Sequence, residues 1–132
     1  MKIHHIGIVC KKKNIKDYIF VKSNFFEYFD KKQNNYLYIS YNPYNKVWLE
    51  FIEPANKQST VYNFLKTRGP GIHHMGFFVK NIDKVTKEYK KKKNFIYINS
   101  YKTHISCFGG DLKTVFFYNN NSIIEFLGLA ND

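Results

Sequence analysis

A short pattern of two adjacent histidines, an apolar residue and a glycine occurs twice in the chain. It reads Ile3-His4-His5-Ile6-Gly7 near the start and Ile72-His73-His74-Met75-Gly76 in the second half. A second pattern also repeats, because Leu49-Glu50-Phe51-Ile52 returns as Ile124-Glu125-Phe126-Leu127. Each half therefore opens with a segment that carries histidine and closes with one that carries glutamate. Self-similarity at a long period predicts a duplicated structural unit.

Strand geometry separates the two histidines of each pair, because successive side chains of a strand point to opposite faces. The earlier histidine shares its face with bulky apolar residues, which is typical of a side packed beneath a helix. The later histidine shares its face with glycine, which is typical of a cavity wall. We therefore expect His5 and His74 to face a cavity, and His4 and His73 to lie on the opposite side.

The two repeated glutamates lie among large apolar residues. A carboxylate in a buried strand is costly unless it is paired or bound to a cation. Taken singly, Glu50 or Glu125 could equally be a core acid hydrogen-bonded to backbone or a charge on an edge strand. Because each closes a half that opens with a histidine, one divalent metal held by His5, Glu50, His74 and Glu125 satisfies all four side chains. Mixed imidazole and carboxylate ligands suit zinc, cobalt, nickel, manganese or iron and do not decide among them.

The order of strand and helix signals predicts two βαβββ modules. In the first, a helix from Asn14 to about Lys22 follows the histidine strand, and in the second a helix follows an Asn81 cap. We expect a first module over 1–54, a linker over 55–71 with a short helix capped by Ser59 and Thr60, and a second module over 72–132. In the second module, 95–98 and 101–106 read as two short strands. The predicted fold class is α+β, with a curved mixed eight-stranded sheet around a concave metal site.

The chain is strongly basic, with 21 Lys and Arg against 10 Asp and Glu and a formal net charge of +11. This charge is consistent with a small anionic ligand drawn in by the field, or with lysines that are merely spread over the surface, and we favour the second interpretation. Arginine is almost absent, which argues against nucleic-acid recognition. No apolar run approaches the ~20 residues of a membrane span. Without a signal-peptide pattern or CxxC spacing, a cytoplasmic location is expected.

The same segments resemble the vicinal oxygen chelate superfamily, which includes glyoxalase I, methylmalonyl-CoA epimerase, extradiol dioxygenases and bleomycin-type resistance proteins. Within it the chain is similar to methylmalonyl-CoA epimerase and its glyoxalase-like relatives. The resemblance spans nearly the whole chain and rests on these segments: His4-His5-Ile6-Gly7-Ile8, Leu49-Glu50-Phe51-Ile52-Glu53-Pro54, Gly69-Pro70-Gly71-Ile72-His73-His74-Met75, Val79-Lys80-Asn81-Ile82-Asp83, Gly109-Gly110 and Ile124-Glu125.

The resemblance implies a metal-dependent isomerase, epimerase or lyase that removes a proton next to a metal-bound carbonyl. Carried over by position, the family's metal ligands fall on His5, Glu50, His74 and Glu125. By similarity to glyoxalase I, Glu125 or Glu50 would also act as the base, and we expect help from Tyr38 or Ser40. The implied partners are a small anionic carbonyl substrate, such as an acyl-CoA or a thiol adduct, and a second copy of the chain in a homodimer.

One departure from the epimerase pattern leaves alternatives open. Epimerases of this type use a further glutamate of the first half as a base. The segment Asn35–Ser40, around the predicted strand Tyr36–Tyr41, carries no acid, and Glu27 and Asp30, the nearest acids, do not align. A non-catalytic protein that binds a small ligand, as bleomycin-type resistance proteins do, is the main alternative. An extradiol-type dioxygenase is disfavoured, because that chemistry uses two His and one carboxylate on iron and leaves Glu50 unexplained.

Overall fold

The computed structural model describes residues 1–18 and 24–130. The chain divides into two compact units, one of His5–His73 and one of His74–Asp132 together with Met1–His4. Eight strands form a mixed sheet. In chain order the elements are β1 (Ile3–Val9), a 3-10 helix (Lys12–Asp17), β2 (Phe26–Asp30), β3 (Asn35–Asn42), β4 (Val47–Pro54), α1 (Tyr62–Arg68), β5 (Gly71–Phe78), α2 (Ile82–Lys90), β6 (Ile96–Ile105), a second 3-10 helix (Ser106–Phe108), β7 (Gly110–Asn119) and β8 (Ser122–Leu129).

In the first unit the strand order is β2-β3-β4-β1. The β1 and β4 strands pair in parallel, and β3 runs antiparallel to both β2 and β4. One face of these strands packs beneath the 3-10 helix and forms a core cluster of buried residues. Its members are Ile8, Cys10, Ile15, Tyr38, Leu49 and Phe51. Burial of this apolar surface, at about 25 cal/mol per Å², holds the short helix on the sheet.

The first predicted helix is wrong in type and extent. A 3-10 helix occupies Lys12–Asp17, with Lys11 at its N-terminal cap position and no side-chain cap. The predicted cap, Asn14, lies inside this helix and donates its backbone N–H to the Lys11 carbonyl. Ile15 is its one buried residue, so the segment lacks the apolar stripe that a longer amphipathic helix needs. The rest of the predicted helix, at 19–22, lies outside the described residues.

The second unit has the strand order β5-β8-β7-β6, with β5 and β8 parallel and the other neighbours antiparallel. Helix α2 begins after Asn81, whose side chain accepts a hydrogen bond from the backbone N–H of Lys84, as the sequence predicts. The helix covers one face of the strands and closes a second core cluster of buried residues. Its members are Val79, Ile82, Val115, Phe117 and Phe126.

The two short strands predicted at 95–98 and 101–106 form one strand, β6. Its pairing with β7 shifts register between Tyr97 and Asn99, and this irregularity explains why the alternation of the sequence breaks there. At the other end of β7, Asn120 and Asn121 both have positive φ, at 48° and 67°. Two such residues make the tight hairpin turn that β7 and β8 require.

The short helix before β5 runs over Tyr62–Arg68, close to its predicted position. No side chain caps its N-terminal residue, so the cap predicted at Ser59 and Thr60 is wrong. The Ser59 hydroxyl accepts from the backbone N–H of Val61 and donates to the Asn35 side chain, which ties this segment to β3. Within the described residues, none of the helices combines the length and apolarity needed to cross a membrane.

Candidate metal centre

In the first unit, His5 and Glu50 lie on the face opposite the core cluster. The parallel register of β1 and β4 places Gly7 opposite Glu50 and His5 opposite Trp48. Because residues two apart in a strand share a face, His5, Gly7 and Glu50 belong to one side. His5 is fully buried and Glu50 is 7% exposed. The glycine brings the β1 backbone beside the carboxylate without a side chain between them.

The second unit repeats this arrangement residue for residue. Gly76 stands opposite Glu125, and His74 is two residues before Gly76 on the same face. The Nε2 atom of His74 lies 3.0 Å from Oε1 of Glu125, and both side chains are buried. The ring of Phe116, which pairs with Glu125 across the strands, meets the His74 ring edge-on at 5.5 Å. The duplication seen in the sequence thus extends to the pairing register of each histidine and glutamate.

Four buried residues, His5, Glu50, His74 and Glu125, each offer one ligand atom, and these atoms lie within 4.8 Å of one another. Ligand atoms about 2.1 Å from an octahedral ion lie about 3.0 Å apart when adjacent and about 4.2 Å apart when opposite. The His74–Glu125 distance of 3.0 Å matches the adjacent separation. It is equally the length of a direct hydrogen bond from an Nε2–H group to the carboxylate.

Charge adds to the fit between these residues and a divalent cation. Two carboxylates removed from water each carry a desolvation cost of several kcal/mol unless opposite charge compensates them. A dication supplies two positive charges, and neutral imidazoles are its common nitrogen ligands. Two imidazoles and two carboxylates, all more than nine-tenths buried, are therefore a donor set that fits a divalent metal ion.

The other three histidines lie elsewhere. The His4 ring contacts Phe78 and Phe108, at centroid distances of 5.7 Å and 4.6 Å. The His73 ring packs edge-on against Phe64 at 5.1 Å. His104 is exposed, and its Nδ1 atom lies 2.7 Å from Oδ1 of Asp111. These contacts separate the three side chains from the group of His5, Glu50, His74 and Glu125.

The assisting role expected of Tyr38 or Ser40 is wrong on geometric grounds. Ile39 pairs with Glu50, so its two neighbours point to the other face of the sheet. Tyr38 belongs to the core cluster beneath the 3-10 helix, where burial, followed by the charge of Glu53, raises the pKa of its hydroxyl. A hydroxyl on this side of the sheet cannot reach a substrate held beside Glu50.

Further polar residues lie on the face of the second unit that carries His74 and Glu125, which we call the ligand face. They were not identified as site residues from the sequence. Thr114 lies two residues from Phe116 on β7, and Tyr101 stands opposite Thr114 on β6. Asn99 donates its side-chain N–H to the Tyr101 hydroxyl at 2.7 Å. Thr114 can be assigned to this face because Phe116 pairs with Glu125 and Thr114 is two residues from Phe116 on β7. That assignment requires the β7–β8 register, which the sequence alone does not give.

A family model supports the resemblance that the sequence suggested. Residues 4–104 match the model described as the Glyoxalase/Bleomycin resistance protein/Dioxygenase superfamily. The chain belongs to this superfamily. No curated protein matches the sequence of this chain. Several solved structures resemble its fold.

Methylmalonyl-CoA epimerase from Mycobacterium tuberculosis superposes with a TM-score of 0.76 at 17% identity, covering 98% of this chain and 88% of that one. A Streptomyces coelicolor methylmalonyl-CoA epimerase variant in complex with 2-nitronate-propionyl-CoA gives 0.75 at 19% identity and covers 99% of both chains. A hypothetical protein from Bacillus halodurans gives 0.76 at 21% identity, with 99% and 96% covered. These similarities confirm the predicted α+β fold class, with a mixed eight-stranded sheet.

Proposed function

We propose that this superfamily member is a divalent-metal-dependent isomerase or epimerase that removes a proton next to a carbonyl group. The observation that carries the proposal is the group of four buried ligands, two imidazoles and two carboxylates, within 4.8 Å of one another. His5, Glu50, His74 and Glu125 would hold the ion. A bound divalent cation supplies Lewis-acid stabilisation of the negative charge that develops on a carbonyl oxygen, worth several kcal/mol of barrier.

The protein itself must supply a base, and we propose Glu125 for this role, with Glu50 as the alternative. The Glu125 carboxylate is buried beside His74, and coordination to the ion would hold one of its oxygens in place. The second oxygen would then be the one that accepts the substrate proton. A general base placed in this way contributes about 10²–10⁴-fold to the rate.

The substrate class is inferred from the relatives. A methylmalonyl-CoA epimerase of the same fold is seen in complex with 2-nitronate-propionyl-CoA, and a net charge of +11 is compatible with an anionic substrate. An acyl-CoA or a thiol adduct of a 2-oxoaldehyde combines negative charge with a carbonyl next to an acidic C–H. We further propose that the protein is a cytoplasmic homodimer and that it binds no nucleic acid, and sedimentation velocity would test the dimer.

One observation favours a second candidate, a non-catalytic protein that binds a small ligand. The strand β3 residues that share a face with Glu50 include Leu37 and Ile39, and neither can act as a base. Asp30 also points to this side but accepts hydrogen bonds from the backbone of Lys32 and the side chain of Gln33. In the enzyme that we propose, a ligand carboxylate would therefore also serve as the base.

Solvent deuterium exchange separates the two candidates. Protein loaded in turn with Zn²⁺, Co²⁺, Ni²⁺ and Mn²⁺ is incubated in D₂O with methylmalonyl-CoA or with the hemithioacetal of methylglyoxal and glutathione, and loss of the C–H signal is followed by NMR. The proposal predicts exchange with at least one metal and its loss in E125Q. The matched control is E88Q, which makes the same change at an exposed position of α2. Ligand binding without exchange under every metal would favour the binding protein and contradict the enzyme.

A further inference from the structure

Thr114 is a buried polar residue whose hydroxyl has no assigned role. The residue is 4% exposed, and within the part of the chain that the structure describes its Oγ1 atom is the one buried side-chain oxygen or nitrogen without a hydrogen-bond partner. A hydroxyl removed from water with no partner is destabilising. Valine has nearly the same shape and would avoid this cost, so a strand selected for stability alone would not favour threonine here.

Thr114 lies on the same face of the second unit as Glu125, one of the four candidate metal ligands. Phe116 pairs with Glu125, and Thr114 is two residues earlier on β7, opposite Leu127. Thr114 and Glu125 are therefore diagonal neighbours on one face of an antiparallel pair, about 7–8 Å apart between their backbones. The hydroxyl and the carboxylate therefore belong to the same patch of this face.

The neighbour of Thr114 on the other side is also polar. Tyr101 stands opposite Thr114 on β6, and its hydroxyl accepts a hydrogen bond from Asn99 at 2.7 Å. The Tyr101 ring packs edge-on against Phe116 at 6.2 Å, which fixes the direction of the ring. Polar groups therefore continue along the ligand face beyond Glu125.

We propose that the Thr114 hydroxyl donates a hydrogen bond to a substrate oxygen that is not bound to the metal. This inference rests on the proposed function, and it narrows the substrate class to compounds with a third oxygen beyond the two that chelate the ion. A hydroxyl can donate a hydrogen bond to an oxygen acceptor but not to a methyl group of similar size. Thr114 would thus act as a specificity-determining residue, while the proton transfer itself is left to a carboxylate.

Two chelators that differ in their outer atoms provide the probes. Oxalate offers two oxygens to a metal and two further oxygens pointing away from it, whereas acetohydroxamate offers two metal-binding oxygens and ends in a methyl group. Binding of each to Co²⁺-loaded protein is measured from the visible absorption of cobalt, which reports the metal directly and needs no turnover. The variants are T114V, which removes the hydroxyl, and T114S, which keeps it.

The proposal predicts a specific pattern of dissociation constants. T114V should bind oxalate about ten-fold more weakly and acetohydroxamate within two-fold of the wild type, because only oxalate loses a hydrogen bond. T114S should bind both probes as the wild type does. T114V should also melt at the same temperature or a few degrees higher, since it buries no unpaired hydroxyl.

Other outcomes would overturn the proposal. If T114V weakens both probes equally, or neither, the hydroxyl does not recognise an outer oxygen. If T114V lowers the melting temperature by several degrees while oxalate binding is unchanged, the hydroxyl is satisfied structurally, for example by a buried water. If cobalt binds but neither chelator changes its spectrum, the inference about Thr114 fails while the metal site stands; if cobalt does not bind at all, the proposed function fails with it.

Discussion

Replacing Glu125 by Gln should remove most of the stabilisation that a divalent metal gives to the folded protein. The substitution keeps the size of the side chain and an oxygen that can accept from His74, whose Nε2 atom lies 3.0 Å away. It removes one of the two negative charges from a group in which every side chain is buried. The metal-free protein should therefore change little in stability, whereas metal affinity should fall by about 100-fold or more, beyond the 10–100-fold typical of losing an outer partner of a ligand.

The expected change in melting temperature follows from linkage. At a metal concentration 100 times the dissociation constant, binding to the folded state adds about 2.7 kcal/mol. A chain of 132 residues has an unfolding entropy of about 0.28 kcal/mol/K, so this corresponds to an increase of about 10 °C. With an affinity 100-fold weaker at the same metal concentration, the gain falls to about 0.4 kcal/mol, or about 1.5 °C.

Differential scanning fluorimetry of apo and metal-loaded protein measures both shifts. E88Q serves as the control, because Glu88 lies exposed on α2, and it should keep the full increase. If the wild type gains no stability from any of Zn²⁺, Co²⁺, Ni²⁺ or Mn²⁺, or if E125Q gains as much as the wild type, the reasoning that links the buried carboxylate to a cation is refuted.

Three further predictions concern other parts of the molecule. A Cβ atom at Gly128 would lie 2.7 Å from the backbone oxygen of Val79, so G128A should cost about 1–3 kcal/mol and lower the melting temperature by several degrees; an unchanged melt would contradict this contact. Burial, followed by the charge of Glu53, raises the pKa of Cys10 to about 11. At pH 8 Ellman's reagent should therefore react rapidly with Cys107 and with Cys10 only after denaturation. Two rapidly reacting thiols in the folded protein would contradict this prediction. Trp48 is the single tryptophan and stands opposite His5, a proposed ligand, across β1 and β4. Co²⁺ should therefore quench its emission with an end point at one equivalent, and no quenching would count against a site there.

The repeat and the strand alternation predicted most of the fold because they reflect local geometry. The Gly7–Glu50 and Gly76–Glu125 pairings follow the same rule in both halves, and period-2 alternation separates ligand face from core face without any tertiary information. The Asn81 cap could also be predicted from the sequence, because an asparagine before an amphipathic segment accepts a hydrogen bond from a free backbone N–H of the helix.

The errors arose where distant parts of the chain decide the local structure. The 3-10 helix at Lys12–Asp17 is fixed by packing of Ile15 on the sheet, which outweighs any intrinsic preference of a lysine-rich segment. The continuity of β6 depends on its pairing with β7, which bridges the irregularity at Tyr97. Thr114 could not be identified from the sequence, because threonine is common in strands. That its hydroxyl is buried without a hydrogen-bond partner is known only from the packed structure.

The central claim is that two imidazoles and two carboxylates hold one ion, and metal stoichiometry tests it most directly. Protein purified without chelators, loaded with Zn²⁺ or Co²⁺ and dialysed, is analysed by inductively coupled plasma mass spectrometry, alongside H5N, E50Q, H74N and E125Q and the exposed control H104N. The account predicts about one ion per chain in the wild type and in H104N, and a large loss in each of the four ligand variants. A wild type that retains no metal, or ligand variants that retain as much as H104N, would contradict it.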